Sequence, residues 1–161
     1  MASWQYDLHL VPRLMLMKTF GHIPDSLEPE VFDSIDWWAD NQPPADYQEV
    51  ASSLLNESAS WNINLRVWGE GDGNRLDVFS ERGDVRDVFI RVDVRNLDPA
   101  FLKQVARFAD HCRCLLLTAD MAVLEPTVEL LRSAIKQSRA FSFVSNPHRF
   151  LEDLREERIP N

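Results

Sequence analysis

A chain of 161 residues with 45% hydrophobic and 27% charged content lies in the globular range, which excludes a disordered or fibrous protein. That length suits a single domain, 1–161, able to bury roughly 70% of the surface its unfolded chain exposes. A formal net charge of -9 argues against nucleic acid and anionic membranes as partners, because neutralising phosphates takes Lys and Arg.

Trp4 to Leu10 alternates Tyr6, Leu8 and Leu10 against Gln5, Asp7 and His9, the pattern of a first strand. Pro12 has no N–H to give a ladder, so that strand ends there or lies at an edge. The early apolar run from Leu8 to Met17 is interrupted by His9, Pro12 and Arg13, too short and broken for a membrane span or a signal-peptide core. The protein is therefore read as cytoplasmic. Arg13 to Phe20 fits either a continuing strand or a short helix, and His22 to Leu27 a loop.

Two helices are predicted next. Pro29 to Asp40 opens with proline at a first helical position and carries Val31, Phe32, Ile35, Trp38 and Ala39 at helical spacing toward the core. Pro43-Pro44 breaks the chain, and Ala45 to Leu55 follows with Tyr47, Val50, Ala51, Leu54 and Leu55 on one side. From Trp61 to Arg95 the period becomes two. Trp61, Ile63, Leu65 and Val67, then Leu76 and Val78, then Val88, Ile90, Val92 and Val94 fall on one face. Short turn-forming stretches at 69–74 and 81–84 separate these runs, so a three-stranded antiparallel meander is predicted over about 61–95. Its other face reads Asn62, Asn64, Arg66, Trp68; then Arg75, Asp77, Phe79; then Phe89, Arg91, Asp93, Arg95.

Asp98-Pro99 opens a helix to about His111 with Leu102, Val105, Phe108, Ala109 and Cys112 inward. Cys114 to Thr118 reads as a short apolar strand with Met121 to Leu124 as its hairpin partner. A further amphipathic helix opens at Glu125-Pro126-Thr127, with Val128, Leu131, Ala134 and Ile135 inward. Ala140 to Val144 is expected as a last short strand. Asn146-Pro147 caps a terminal helix that holds Phe150, Leu151 and Leu154 and frays into Glu156-Glu157-Arg158. The order gives an α+β fold, an antiparallel sheet built on the central meander with amphipathic helices packed on it.

Cys112 and Cys114, beside Leu115, Leu116 and Leu117, read as buried thiols in a reducing compartment. A His111-x-x-Cys114 metal site lacks further ligands. The run Glu70, Asp72, Asn74 and Glu81 echoes a calcium loop, but Arg75 stands where the sharp turn needs glycine. No metal or other cofactor is expected. Glycine loops for phosphate, dinucleotide fingerprints and nucleophile elbows are missing, which leans the reading away from an enzyme without excluding one.

Charge is unevenly distributed. Between Lys18 and Arg66 there is no lysine or arginine but nine acids, leaving 17 acids against 17 bases elsewhere. On a helical wheel Glu30, Asp33, Asp36 and Asp40 face away from the core, with Trp37 among them. Such a face is either solvated, with Trp37 covered by the Pro43-Pro44 turn, or a protein interface with Trp37 as its anchor, favouring a basic partner. A mimic of nucleic acid needs acids spaced over a longer surface than two short helices provide. The second candidate surface is the meander's outer face, where Arg66, Arg75, Asp77, Arg91 and Asp93 form either a structural charge ladder or a polar cleft for a small enzyme or ligand-binding domain.

The strand Tyr6-Asp-Leu-His-Leu10, the start Pro43-Pro44-Ala-Asp-Tyr47, Trp68-Gly-Glu-Gly-Asp-Gly-Asn74 and Leu124-Glu-Pro-Thr127 together resemble small bacterial immunity proteins. The resemblance spreads over most of the chain. It implies a non-enzymatic cytoplasmic inhibitor that binds a cognate toxin, with no catalytic residue to assign. Homo-oligomerisation stays open.

Overall fold

The computed structural model describes residues 2–157. Within them an antiparallel sheet is covered by helices, an α+β architecture. The strands are β1 (Gln5–Pro12), β2 (Glu57–Ser58), β3 (Leu65–Trp68), β4 (Arg75–Glu81), β5 (Asp84–Asp93), β6 (Cys114–Thr118) and β7 (Val123–Leu124). Their order across the sheet is β2-β3-β4-β5-β1-β6-β7. β3, β4 and β5 are successive hairpin neighbours, while β1 is inserted between β5 and β6. Leu8 lies opposite Ile90 on one side and Thr118 on the other. Pro12 is the last residue of β1, where its missing N–H does least harm to the ladder.

Register divides the side chains between two faces. Trp68, Leu76, Ile90 and Leu8 stand in one cross-strand row and are fully buried. Helix α3 (Tyr47–Leu54) covers this inner face, since the Trp68 indole N–H donates to Ser52 Oγ at 3.1 Å. Helix α4 (Pro99–His111) packs on α3, and α5 (Val128–Lys136) packs on α4. Leu102, Val105, Phe108 and Ala109 of α4 are buried as their spacing predicts. Each large apolar side chain so placed contributes roughly 1.5–3 kcal/mol. The Asp98 carboxylate accepts from the Ala100 N–H at 2.9 Å, which sets the start of α4.

Three expectations are corrected. The first concerns β3, which begins only at Leu65, so Trp61 and Ile63 are 88% and 98% exposed and not in the core. The Asn62 side chain accepts from the Asn64 N–H at 2.9 Å and its carbonyl accepts from the Leu65 N–H at 3.0 Å, a local turn that competes with a ladder. The strand then has the opposite phase. Trp68 joins Leu76 on the inner face, while Val67 pairs with Asp77 on the outer one. A shift of one residue exchanges every side chain between faces.

The second is the helix predicted over Pro29–Asp40. Helix α2 runs only Pro29–Ser34, because Ser34 Oγ donates to the Val31 carbonyl and Ile35 is extended. Ala39, expected inward, is exposed. The third is the strand expected at Ala140–Val144, which is helix α6 (Arg139–Ser145). Ser138 caps it by accepting from the Phe141 N–H, and Ala140, Phe141 and Val144 share one helical stripe packed against the core.

The ambiguous segment Arg13–Phe20 is helix α1, closed by Gly21 in the left-handed region. Helix α7 (Pro147–Glu157) follows α6, and Arg158, part of the expected frayed end, lies outside the described residues. In the 69–74 loop Gly69 has φ +98°, and a Cβ there would collide with the Asn74 carbonyl oxygen. No helix among the described residues is long and apolar enough to cross a membrane.

Candidate protein-binding surfaces

The acidic face is present, but its expected aromatic anchor is not. Trp37 is 5% exposed. Its indole N–H donates to the Phe32 carbonyl at 3.1 Å, and its ring stacks on Phe32 with centroids 5.9 Å apart. The cause is the early end of α2. A chain that leaves the helix at Ile35 turns Trp37 back onto the Phe32 carbonyl, which also accepts from the Ile35 N–H at 3.4 Å.

Phe32 in turn rests on His9, at 5.0 Å between rings, and His9 meets Phe89 at 5.2 Å. His9 Nδ1 lies 3.2 Å from Asp87 Oδ1. This stack fixes α2 to the outer sheet face and leaves Glu28, Glu30 and Asp33 exposed. Asp36 and Asp40 are also exposed but paired. Asp36 binds Arg86 Nη1 at 2.7 Å and Asp40 binds Lys18 Nζ at 3.4 Å. Because residues 19–65 contain no lysine or arginine, the cations on Asp36 and Asp40 come from other parts of the chain, and His111 Nε2 likewise reaches Asp46 at 2.8 Å. Among the described residues no ion pair engages Asp25, Glu28, Glu30 or Asp33.

The second surface separates. Arg75, Asp77, Arg91 and Asp93 share the outer face, but Arg66 lies on the inner one, by the β3 phase described above. There it donates two bonds of 2.9 Å to Glu57. The rest are committed locally: Arg75 to Asp77 at 2.6 Å and Arg91 to Asp7 at 3.4 Å. Asp93 accepts from Arg95 Nε, Arg95 Nη2 and the Arg95 N–H. Burial alone would raise the Asp93 carboxyl, yet these Arg95 contacts outweigh it and hold the group below the usual carboxylate range. A carboxylate held in this way is a poor proton acceptor, and the arrangement is that of a charge ladder.

The surface that sequence reasoning missed is the loop 59–64. Trp61 and Ile63 are the most exposed of its large apolar side chains. Beside Trp61 lies an open groove of about 480 Å³ lined by Glu57, Ser58, Trp61, Val67, Glu70 and Arg75. A signal was available in Asn62 and Asn64, residues that favour turns over strands.

The thiols are structural. Cys112 and Cys114 are free and buried. Burial, with Asp46 nearby, pushes the Cys112 thiol up to about 12, and burial likewise raises Cys114. Among the described residues no group of His, Cys, Asp and Glu is gathered to hold a metal ion. Comparison of the chain with protein families, with curated proteins and with solved structures yields no match.

Proposed function

We propose that this chain is a non-enzymatic protein-binding module, an inhibitor of the bacterial immunity-protein kind that acts in the cytoplasm by occupying a basic surface on a toxin. The observation that carries this reading is the exposed row Glu28, Glu30 and Asp33 at the start of and along α2, which lacks ion-pair partners among the described residues on a helix clamped by the His9–Phe32–Trp37 stack. Uncompensated carboxylates on a rigid support steer a cationic partner during encounter and fix its register. Asp36 and Asp40 contribute less, because Arg86 and Lys18 already offset them. The alternative of a small enzyme or ligand-binding domain on the Arg/Asp face loses support from the pairing of Arg75 with Asp77 and of Arg91 with Asp7.

The test is affinity capture from a lysate of the native host, with wild type beside Glu28→Lys/Glu30→Lys/Asp33→Lys, followed by binding kinetics with the purified partner. A stoichiometric partner whose association slows roughly 10-fold or more in the variant, and whose wild-type rate falls with salt, is the expected result. Equal capture and equal association rates by both proteins would remove α2 from the interface.

A further inference from the structure

We propose that the groove beside Trp61 seats an arginine-bearing segment of a protein partner, with a guanidinium stacked on the Trp61 ring. The inference rests on the protein-binding reading for the nature of its occupant, but uses a surface distinct from α2.

Trp61 and Ile63 are not held outward by a loose loop. Ser60 Oγ donates to the Asn62 carbonyl at 3.1 Å, and the Asn62 N–H donates back to Ser60 Oγ at 3.2 Å. The Asn64 carbonyl accepts from the Ser80 N–H at 2.8 Å, which ties the loop to β4. A preorganised aromatic presented on a fixed backbone is the usual anchor of an interface, since little freedom is lost on binding.

Charge selects the occupant. Glu70 lines the groove and is exposed, while the other acidic lining residue, Glu57, is held by Arg66. The cationic lining residue, Arg75, is held by Asp77. An arginine side chain matches both features, because its planar cation stacks on an indole and pairs with carboxylates.

The probe is a capped peptide alternating arginine and valine, with a glutamate-for-arginine counterpart as control. Both are titrated against the full chain by amide NMR up to about 1 mM, where weak single-segment affinities are measurable. Expected are shifts confined to residues 57–75, binding weakened at least 10-fold in Trp61→Ala and in Glu70→Gln, and little change in the α2 triple variant. Both single variants remain folded by this structure, which their amide spectra report directly. No binding of the arginine peptide, equal binding of the glutamate peptide, or shifts centred on α2 would overturn the proposal, and the last of these would leave the α2 reading standing. A concentration-dependent dimer abolished by Trp61→Ala would also overturn it, by making a second copy the occupant.

Discussion

The side-chain amide of Gln42 binds both backbone groups of Val85: Nε2 donates to the Val85 carbonyl at 3.0 Å and Oε1 accepts from its N–H at 2.7 Å. The same Nε2 donates to the Trp38 carbonyl at 2.7 Å. One glutamine thereby behaves as a single rung of a β-ladder, joining the turn after α2 to the start of β5. Gln42→Ala should lower unfolding free energy by about 1–3 kcal/mol, because it leaves the Val85 groups without these partners. Gln42→Glu should recover only part of that, since a carboxylate accepts from the N–H but has nothing to donate to the carbonyl. Urea unfolding of the three proteins measures both effects.

Two tryptophans a few positions apart should respond in opposite ways. Trp68 is fully buried and bonded to Ser52, so Trp68→Ala should cost about 3–5 kcal/mol through lost contact and the cavity left behind. Trp61→Ala should stay within about 0.5 kcal/mol of wild type, as for a surface position. If instead the two variants unfold alike in a denaturant titration, the β3 phase is wrong.

Asp93 gives a pH signature. Its carboxyl is held below the ordinary value despite burial, chiefly through Arg95. A depressed folded-state value means the stabilisation is complete above the unfolded carboxylate value of about 3.9 and fades as pH falls through the lower, folded one. Asp93→Asn should therefore melt lower than wild type at pH 7, and the gap should close in strong acid. Melting curves between pH 2 and 7 decide this; a gap independent of pH would assign Asp93 to packing and not to charge.

The thiols set the opposite slope. With Cys112 pushed up to about 12 and Cys114 also raised by burial, both should resist alkylation at pH 8 until the chain unfolds. The sign follows from the raised folded values: full stability below the unfolded thiol value of about 8.5, declining as pH rises above it. Rapid labelling of the folded protein at pH 8 would contradict the burial of both groups.

The sequence made much of the fold legible, because strong patterns agree with packing. The alternation around Leu8 and Leu10, the cap at Asp98 and the stripe Leu102–Val105–Phe108 all predict what is observed. Where the reading failed, a short local bond defeated a long-range pattern. Asn62 turned what looked like the first half of a strand into a loop. Ser34 ended a helix that apolar spacing would have continued to Asp40. Ser138 started a helix where a short apolar run fits either state. The candidate site suffered most, since a wheel drawn through Trp37 presumes a helix that has already stopped. Exposure of Glu30 and Asp33 survives because either conformation turns those carboxylates to water.

The position of β1 also carries a cost in time. Its Asp7 meets Arg91 across 84 positions of sequence, and Leu10 and Val11 pair with residues of β6 still further along. β1 therefore waits after its synthesis, without ladder partners on either side, until β5 and β6 have been made. Assembly of such distant strands is slow, because long loops close before any contact rewards them. Nascent chains stalled before residue 114 should remain open to protease, while those released after β6 should close around β1 and become resistant.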